Sequence, residues 1–160
     1  MIFVCTGTQV YQFNRLLKKL DDLVLDEVIT EDLFAQIGAS TYIPKYYNYK
    51  KFLSNDKFIE FTDKADIIIS HGGTGALIGA LKKGKNVIAV PRLKKFSEHI
   101  DNHQLQIVNV LEKEGYLRAV YDIDDLGKIV MEAKRDPIKK TYSRESYIKQ
   151  ILSDYISQNL

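Results

Sequence analysis

Two glycine-bearing turns and one polar loop hold the residues of this 160-residue chain whose types and spacing suit chemistry. The sharpest is His71-Gly72-Gly73-Thr74-Gly75, which follows directly on Asp66-Ile67-Ile68-Ile69-Ser70 and precedes an apolar-periodic stretch, Ala76–Lys83. A strand, a glycine turn and a helix in that order aim backbone N–H groups and the positive end of a helix dipole at one point, where an anion such as phosphate is stabilised. The spacing is neither the G-x-G-x-x-G of dinucleotide folds nor the G-x-x-x-x-G-K-[ST] of P-loops. Taken alone, the same glycines would equally serve a tight turn that needs positive φ.

Gly7-Thr8-Gln9, after the first apolar run, offers a second set of backbone donors with a hydroxyl and an amide. The third segment, Arg92 to Gln104, gathers Glu98, Asn102, His103 and Gln104 just before a helix, a mixture suited to hydrogen bonding several sugar hydroxyls. Arg92, with Lys94 and Lys95, could meet a phosphate or an acidic surface. His99 and His103 stand four residues apart beside Glu98 and Asp101, but without the H-E-x-x-H form and with no Cys or third His nearby. No metal is therefore expected. The single cysteine, Cys5, lies within an apolar run and reads as a buried thiol.

The elements that must position these groups alternate as short apolar runs and helix-period stretches, the pattern of βα units around a parallel sheet. Expected strands are Ile2–Thr6, Leu33–Ile37, Phe52–Leu53, the central Asp66–Ser70, Val87–Val90 and a short one near Tyr116–Val120. Phe13, Leu16, Leu17, Leu20 and Leu23 mark the apolar stripe of a first helix. A second runs from a cap at Ser54 or Asn55 to about Ala65, with Phe58, Ile59 and Ala65 inward. Further helices are expected after the glycines, from an Asp101 cap to Gly115, over Ile123–Lys134, and from about Ser143. Ser40–Tyr49, with Pro44 and four tyrosines, reads as an ordered loop. In an open α/β sheet the loops beyond the strand ends share one edge, so the three polar segments should converge there.

Length fits a single domain over 1–160, with Lys134–Lys140 as the only linker-like stretch. Twenty-three basic against 21 acidic residues leave +2, too little field to argue for nonspecific nucleic-acid binding. At 45% apolar and 28% charged the composition is that of an ordinary globular domain. No apolar stretch approaches the ~20 residues of a membrane span, and no leader precedes the first strand, so the expectation is a cytoplasmic chain.

Ile67-Ile68-Ile69-Ser70-His71-Gly72-Gly73-Thr74-Gly75, then Val87-Ile88-Ala89-Val90-Pro91-Arg92, then Asp101-Asn102-His103-Gln104 resemble the C-terminal domain of glycosyltransferase family 28. Within it the chain is similar to short catalytic subunits of split bacterial exopolysaccharide and capsule galactosyltransferases, and to the catalytic subunit of the two-subunit GlcNAc transferase acting on dolichol-linked sugar. The resemblance implies a Rossmann-like α/β fold, the donor-binding half of a GT-B enzyme. It implies an inverting, metal-independent transfer of a hexose, galactose by preference, from a UDP-sugar to a lipid-diphosphate-linked sugar in capsule or exopolysaccharide synthesis. The UDP-sugar is substrate, and no cofactor is implied. A separate membrane-anchored acceptor half would recruit the chain to the inner face of the membrane.

Carried over by position, Gly7, Thr8, Gln9 and Gly72 to Gly75 would cradle the diphosphate. Phe52 and Leu53 would meet the uracil, and His103 with Gln104 the sugar hydroxyls, supported by Asn102. His71 and Glu98 are the candidate catalytic groups. Where relatives often carry a ribose-binding acid, this chain has Gly79. A non-catalytic subunit docking its partner through Tyr42–Tyr49 is the alternative, and an isolated half enzyme with an uncovered apolar face could self-associate.

Overall fold

A computed structural model describes residues 1–142, and the helix expected from Ser143 lies outside them. Six strands form one sheet: β1 (Ile2–Cys5), β2 (Leu33–Gln36), β3 (Asn48–Lys50), β4 (Ile67–Ser70), β5 (Asn86–Ala89) and β6 (Arg118–Ala119). They are all parallel, in the order β3-β2-β1-β4-β5-β6. Five helices cover it: α1 (Asn14–Leu25), α2 (Asn55–Lys64), α3 (Thr74–Lys82), α4 (His103–Lys113) and α5 (Leu126–Arg135).

The period-2 alternation of strands explains the layers. Ile2 and Val4 of β1, with Ile67 and Ile69 of β4, face α1 and α5, where Leu16, Leu17, Leu20, Leu126 and Val130 complete one core. Phe3 and Cys5, with Ile68, Val87 and Ala89, face α3 and α4 through Leu77, Leu81, Val108 and Leu111. Phe3 also meets Phe58 edge-on and Phe61 face-on, which seats α2 on the same side. Both faces of β1 and β4 are therefore buried, as their β-branched runs require.

Departures from the sequence expectation are local. The third strand is Asn48–Lys50 rather than Phe52–Leu53. It is an edge strand with every side chain exposed, so apolarity could not mark it. The carbonyls of Lys50 and Lys51 accept from Ile37 and Gly38, after which the chain leaves the sheet. In α2, Ser54 is the cap, Phe61 packs inward and Ile59 stays exposed. Helix α4 begins at His103, with the Asp101 carboxylate accepting from the His103 N–H at 2.9 Å. The Lys134–Lys140 stretch is no free linker: it closes α5, Ile138 N–H donates to Asn86, and Lys140 reaches the Glu114 carbonyl.

The tyrosine-rich stretch is a strap tied down by one buried carboxylate. Asp21, 1% exposed, accepts from the Tyr42 hydroxyl and the Lys45 N–H at 2.8 Å each and from the Tyr46 N–H at 3.0 Å. Asn14 Oδ1 accepts from the N–H groups of Thr41 and Tyr42, and Tyr47 donates to the Leu17 carbonyl. Hydrogen bonds to a charged group contribute about 1.5–3 kcal/mol each and are not additive. Asp21→Ala should thus lower unfolding stability by about 3 kcal/mol in urea titration, a loss well above that of an exposed aspartate such as Asp26.

Candidate functional site

The register Cys5↔Ser70 ends β1 and β4 side by side, so the turns at Gly7 and Gly72 emerge at the same level of the sheet's C-terminal edge. His71 is buried, with Nδ1 3.1 Å from the Cys5 carbonyl. A carbonyl only accepts, so Nδ1 carries the proton and Nε2 bears the lone pair. Glycines flank the ring: a Cβ on Gly7 would lie 2.6 Å from Nε2, and one on Gly73 2.3 Å, closer than any side chain packs. Gly7 and Gly72 also hold φ of +82° and +85°, which disfavour other residues.

Gly73 is the N-cap of α3 and offers no side-chain cap, and the first intrahelical bond is Leu77 N–H to the Gly73 carbonyl. The N–H groups of Thr74, Gly75 and Ala76 are thus orphan donors at the positive end of the helix. They open into a cavity of about 560 Å³, walled opposite by Gly7, Thr8 and Gln9 and closed by Gln36, Leu53, Asn55, Phe58 and Gln104. No lining residue carries a permanent charge. An anion bound there would be met by backbone dipoles, hydroxyls and amides, with Thr74 and Thr8 as hydroxyl donors.

The structure divides the expected site residues. Gly7, Thr8, Gln9, Leu53, His71, Gly73, Thr74, Gly75 and Gln104 line the cavity. Gln104 spends its amide oxygen on the Arg92 N–H at 3.1 Å, which leaves its NH₂ as the group it can offer a ligand. Phe52 is exposed and outside the lining. Gly72 is buried behind the turn, where a Cβ would press on Gln104 and Val108 at 3.2 Å. His103 lies beyond the lining, and Asn102 uses its side-chain oxygen to hold the Lys94 N–H.

Two charged candidates are engaged within the protein and lie outside the cavity lining. Arg92 is fully buried, donates to the carbonyls of Thr6 and Tyr11, and places its guanidinium 5.6 Å from the Phe13 ring centre. It clamps the β1 loop and lies outside the cavity lining. Glu98, also fully buried, pairs with Arg15 through two 2.9 Å contacts and accepts from the Leu93 N–H. It shapes the loop before α4 and lies outside the cavity lining, its carboxylate taken up by Arg15. Gln36, Asn55 and Phe58 join the lining beyond the expected set: Gln36 falls within an expected strand, Asn55 at an expected helix cap and Phe58 on that helix's inward side. At Gly79 an added Cβ meets nothing within 4 Å. Among the described residues no three His, Cys, Asp or Glu side chains converge as a metal site.

A second cavity, about 420 Å³, lies at the opposite, N-terminal edge between Ile2, Asp66 and Pro137. Three of its polar side chains are already engaged: Lys85 with the carbonyls of Asp63 and Ala65, Asn86 with Ala133 and Ile138, Lys134 with Glu31. The C-terminal edge, with orphan donors and a glycine-lined wall, is the better ligand site.

The profile of the glycosyltransferase family 28 C-terminal domain matches residues 1–158. The chain is 32% identical over 124 residues to the UDP-N-acetylglucosamine transferase subunit ALG13 of Mus musculus, covering 72% of this chain and 10% of that protein. Against the human subunit of the same name it is 36% identical over 90 residues, 53% of this chain and 8% of that one. The chain thus spans a tenth or less of these mammalian relatives. Its fold is similar to the solution structure of ALG13, with a TM-score of 0.64, 19% identity and 94% coverage of both chains. It is also similar to Acinetobacter baumannii MurG, with a TM-score of 0.58, 15% identity, and coverage of 82% of this chain and 40% of that one.

Burial, reinforced by the Arg92 charge, lowers the His71 pKa to about 4. The unfolded chain protonates this ring near 6.5, the folded chain only near 4, so between these values the unfolded state holds more protons and stability falls as the pH is lowered. Above 6.5 the contribution is constant. His71 should account for about 3 kcal/mol of stability lost from pH 7 to pH 4. Urea titrations of the wild type and His71→Asn at several pH values should show a shallower slope in the variant; equal slopes would contradict this protonation state.

Proposed function

Because the chain belongs to the glycosyltransferase family 28 C-terminal domain family, we propose that it is the donor-binding catalytic half of a UDP-sugar-dependent hexosyltransferase. The observation that supports this best is the uncapped N-terminus of α3, open to a charge-neutral cleft across from the Gly7 loop. In this reading the β-phosphate lies against the N–H groups of Thr74 to Ala76. The uracil lies toward Leu53 and Phe58, and the hexose within reach of the Gln104 amide. Ribose recognition falls to neutral groups such as Asn55, since Gly79 supplies none.

The reaction is an inverting displacement. An acceptor hydroxyl forms a bond to the anomeric carbon as the bond to the β-phosphate oxygen breaks, and the hydroxyl proton passes to a base. Negative charge grows on the leaving UDP, where the helix dipole and the N–H cradle are already oriented, so no metal is invoked. The base comes from the acceptor half. Glu98 is locked to Arg15, and His71, with a pKa near 4, is a weak proton acceptor at neutral pH. Its part is to hold the two glycine turns together.

The acceptor half is proposed to be a separate membrane-anchored subunit that meets the cleft rim. There Val10 is 85% exposed and Ile100 65%, on loops joined by the Gln12 amide and the Phe96 carbonyl. The proposed donor is UDP-galactose and the acceptor a lipid-diphosphate-linked sugar of capsule or exopolysaccharide synthesis. The relatives' names favour UDP-N-acetylglucosamine as the competing donor.

Isothermal titration of the chain with UDP, UDP-galactose, UDP-N-acetylglucosamine and ADP should show uridine-selective binding, with the tighter sugar nucleotide identifying the donor. Thr74→Ala should weaken binding about tenfold by removing one hydrogen bond to a charged oxygen. Gly73→Ala should abolish it by displacing His71 into the cleft. ADP binding as tightly as UDP, or binding unchanged in both variants, would contradict the proposal.

A further inference from the structure

The strap over α1 and the edge strand that continues it form a surface the donor reading does not use. From Leu33 to Asn55 the sequence contains no acidic residue, yet Lys45, Lys50 and Lys51 fall within seven positions of it. The chain as a whole carries only +2, so this is a local concentration of charge, bordered by Asp56 in sequence and by Glu31 and Asp32, which share a cavity with Tyr46 and Asn48. Between and beside the lysines, Tyr46 and Phe52 are half exposed and Tyr49 lies on the open edge of β3. Among the described residues none of the three lysines forms a side-chain ion pair, whereas Lys57 and Lys64 of the neighbouring helix are both spent on Glu60. The surface is also rigid, because Asp21 and Asn14 pin the strap from beneath.

Exposed tyrosine and phenylalanine among unpaired lysines match a membrane interface: rings settle at the headgroup level and ammonium groups meet anionic lipid. A three-residue edge strand is short for pairing with a partner's strand, and the tethered strap has little freedom to wrap a peptide. We propose that this exposed edge of the sheet, Lys45 to Phe52, docks the chain directly on an anionic lipid bilayer. Phe52 adjoins Leu53, whose N–H donates to Gln36 Oε1 and whose side chain lines the cleft, so docking there sets the mouth of the cleft beside the lipid surface. The charge and exposure arguments hold whatever the cleft binds.

Vesicle flotation of the full chain tests this without nucleotide. The chain should float with vesicles of phosphatidylcholine and phosphatidylglycerol at 7:3, remain behind with phosphatidylcholine alone, and be released by 0.5 M salt. Anionic membranes attract each nearby lysine by roughly a factor of five, so the triple variant Lys45→Gln, Lys50→Gln, Lys51→Gln should weaken partitioning by about tenfold or more. Tyr46→Ser with Phe52→Ser should weaken it at unchanged charge, which separates lipid insertion from mere attraction to a polyanion. A control triple at exposed sites elsewhere, Lys82→Gln, Lys113→Gln, Lys128→Gln, should bind like wild type. Failure to prefer anionic vesicles, equal loss in the control triple, or full binding by the aromatic variant would each overturn the proposal. Heparin binding that depends on the same lysines but not on the aromatics would point instead to a polyanion site.

Discussion

The His71 imidazole occupies the gap where the two central strands end, hydrogen-bonded to the Cys5 carbonyl, and there is no room for a side chain on either side of it. Much of the cleft follows from that constraint. The ring forces glycine at positions 7 and 73, and glycine at those positions bares the backbone that lines the cavity. The same packing places Gly73 as an N-cap without a side chain, so among the described residues no side chain caps the first-turn donors of α3. The parallel register of β1 on β4 sets the height of both turns, and the β-branched runs of those strands, buried on two faces, keep that register from slipping.

Charge is kept beneath the site and out of it. Arg92 ties the β5 loop to the carbonyls of the β1 loop, and the Arg15–Glu98 pair ties α1 to the segment before α4. These buried groups hold three loops from distant parts of the chain in one arrangement, while the cavity presents only neutral polar atoms. For a doubly charged diphosphate, neutral donors offer orientation without the desolvation cost of burying a lysine or arginine.

The central strands, the glycine turn and the helix after it were legible because each rests on local signals: a β-branched run, glycines, then helical periodicity. The parallel sheet and the meeting of three loops at one edge followed from topology rules alone. What escaped was decided by distant partners. Nothing near Glu98 in sequence announces Arg15, 83 positions away, and nothing near Arg92 announces the carbonyl of Thr6. Both charges therefore looked available for ligands. The edge strand Asn48–Lys50 was hidden because it buries no side chain, and the apolar pair Phe52-Leu53 beside it gave the stronger signal. Asn55 and Phe58 entered the cleft because α2 starts at the same sheet edge, a placement visible only once strand order is known.

The most direct test of the account is to map backbone amide shifts on ¹⁵N-labelled protein titrated with UDP. The largest changes should fall on Gly7 to Gln9, on Gly73 to Ala76 and on Gln104, the groups that surround the C-terminal-edge cavity. Changes centred instead on Ile2, Asp66, Lys85 and Asn86, at the opposite edge, would contradict it.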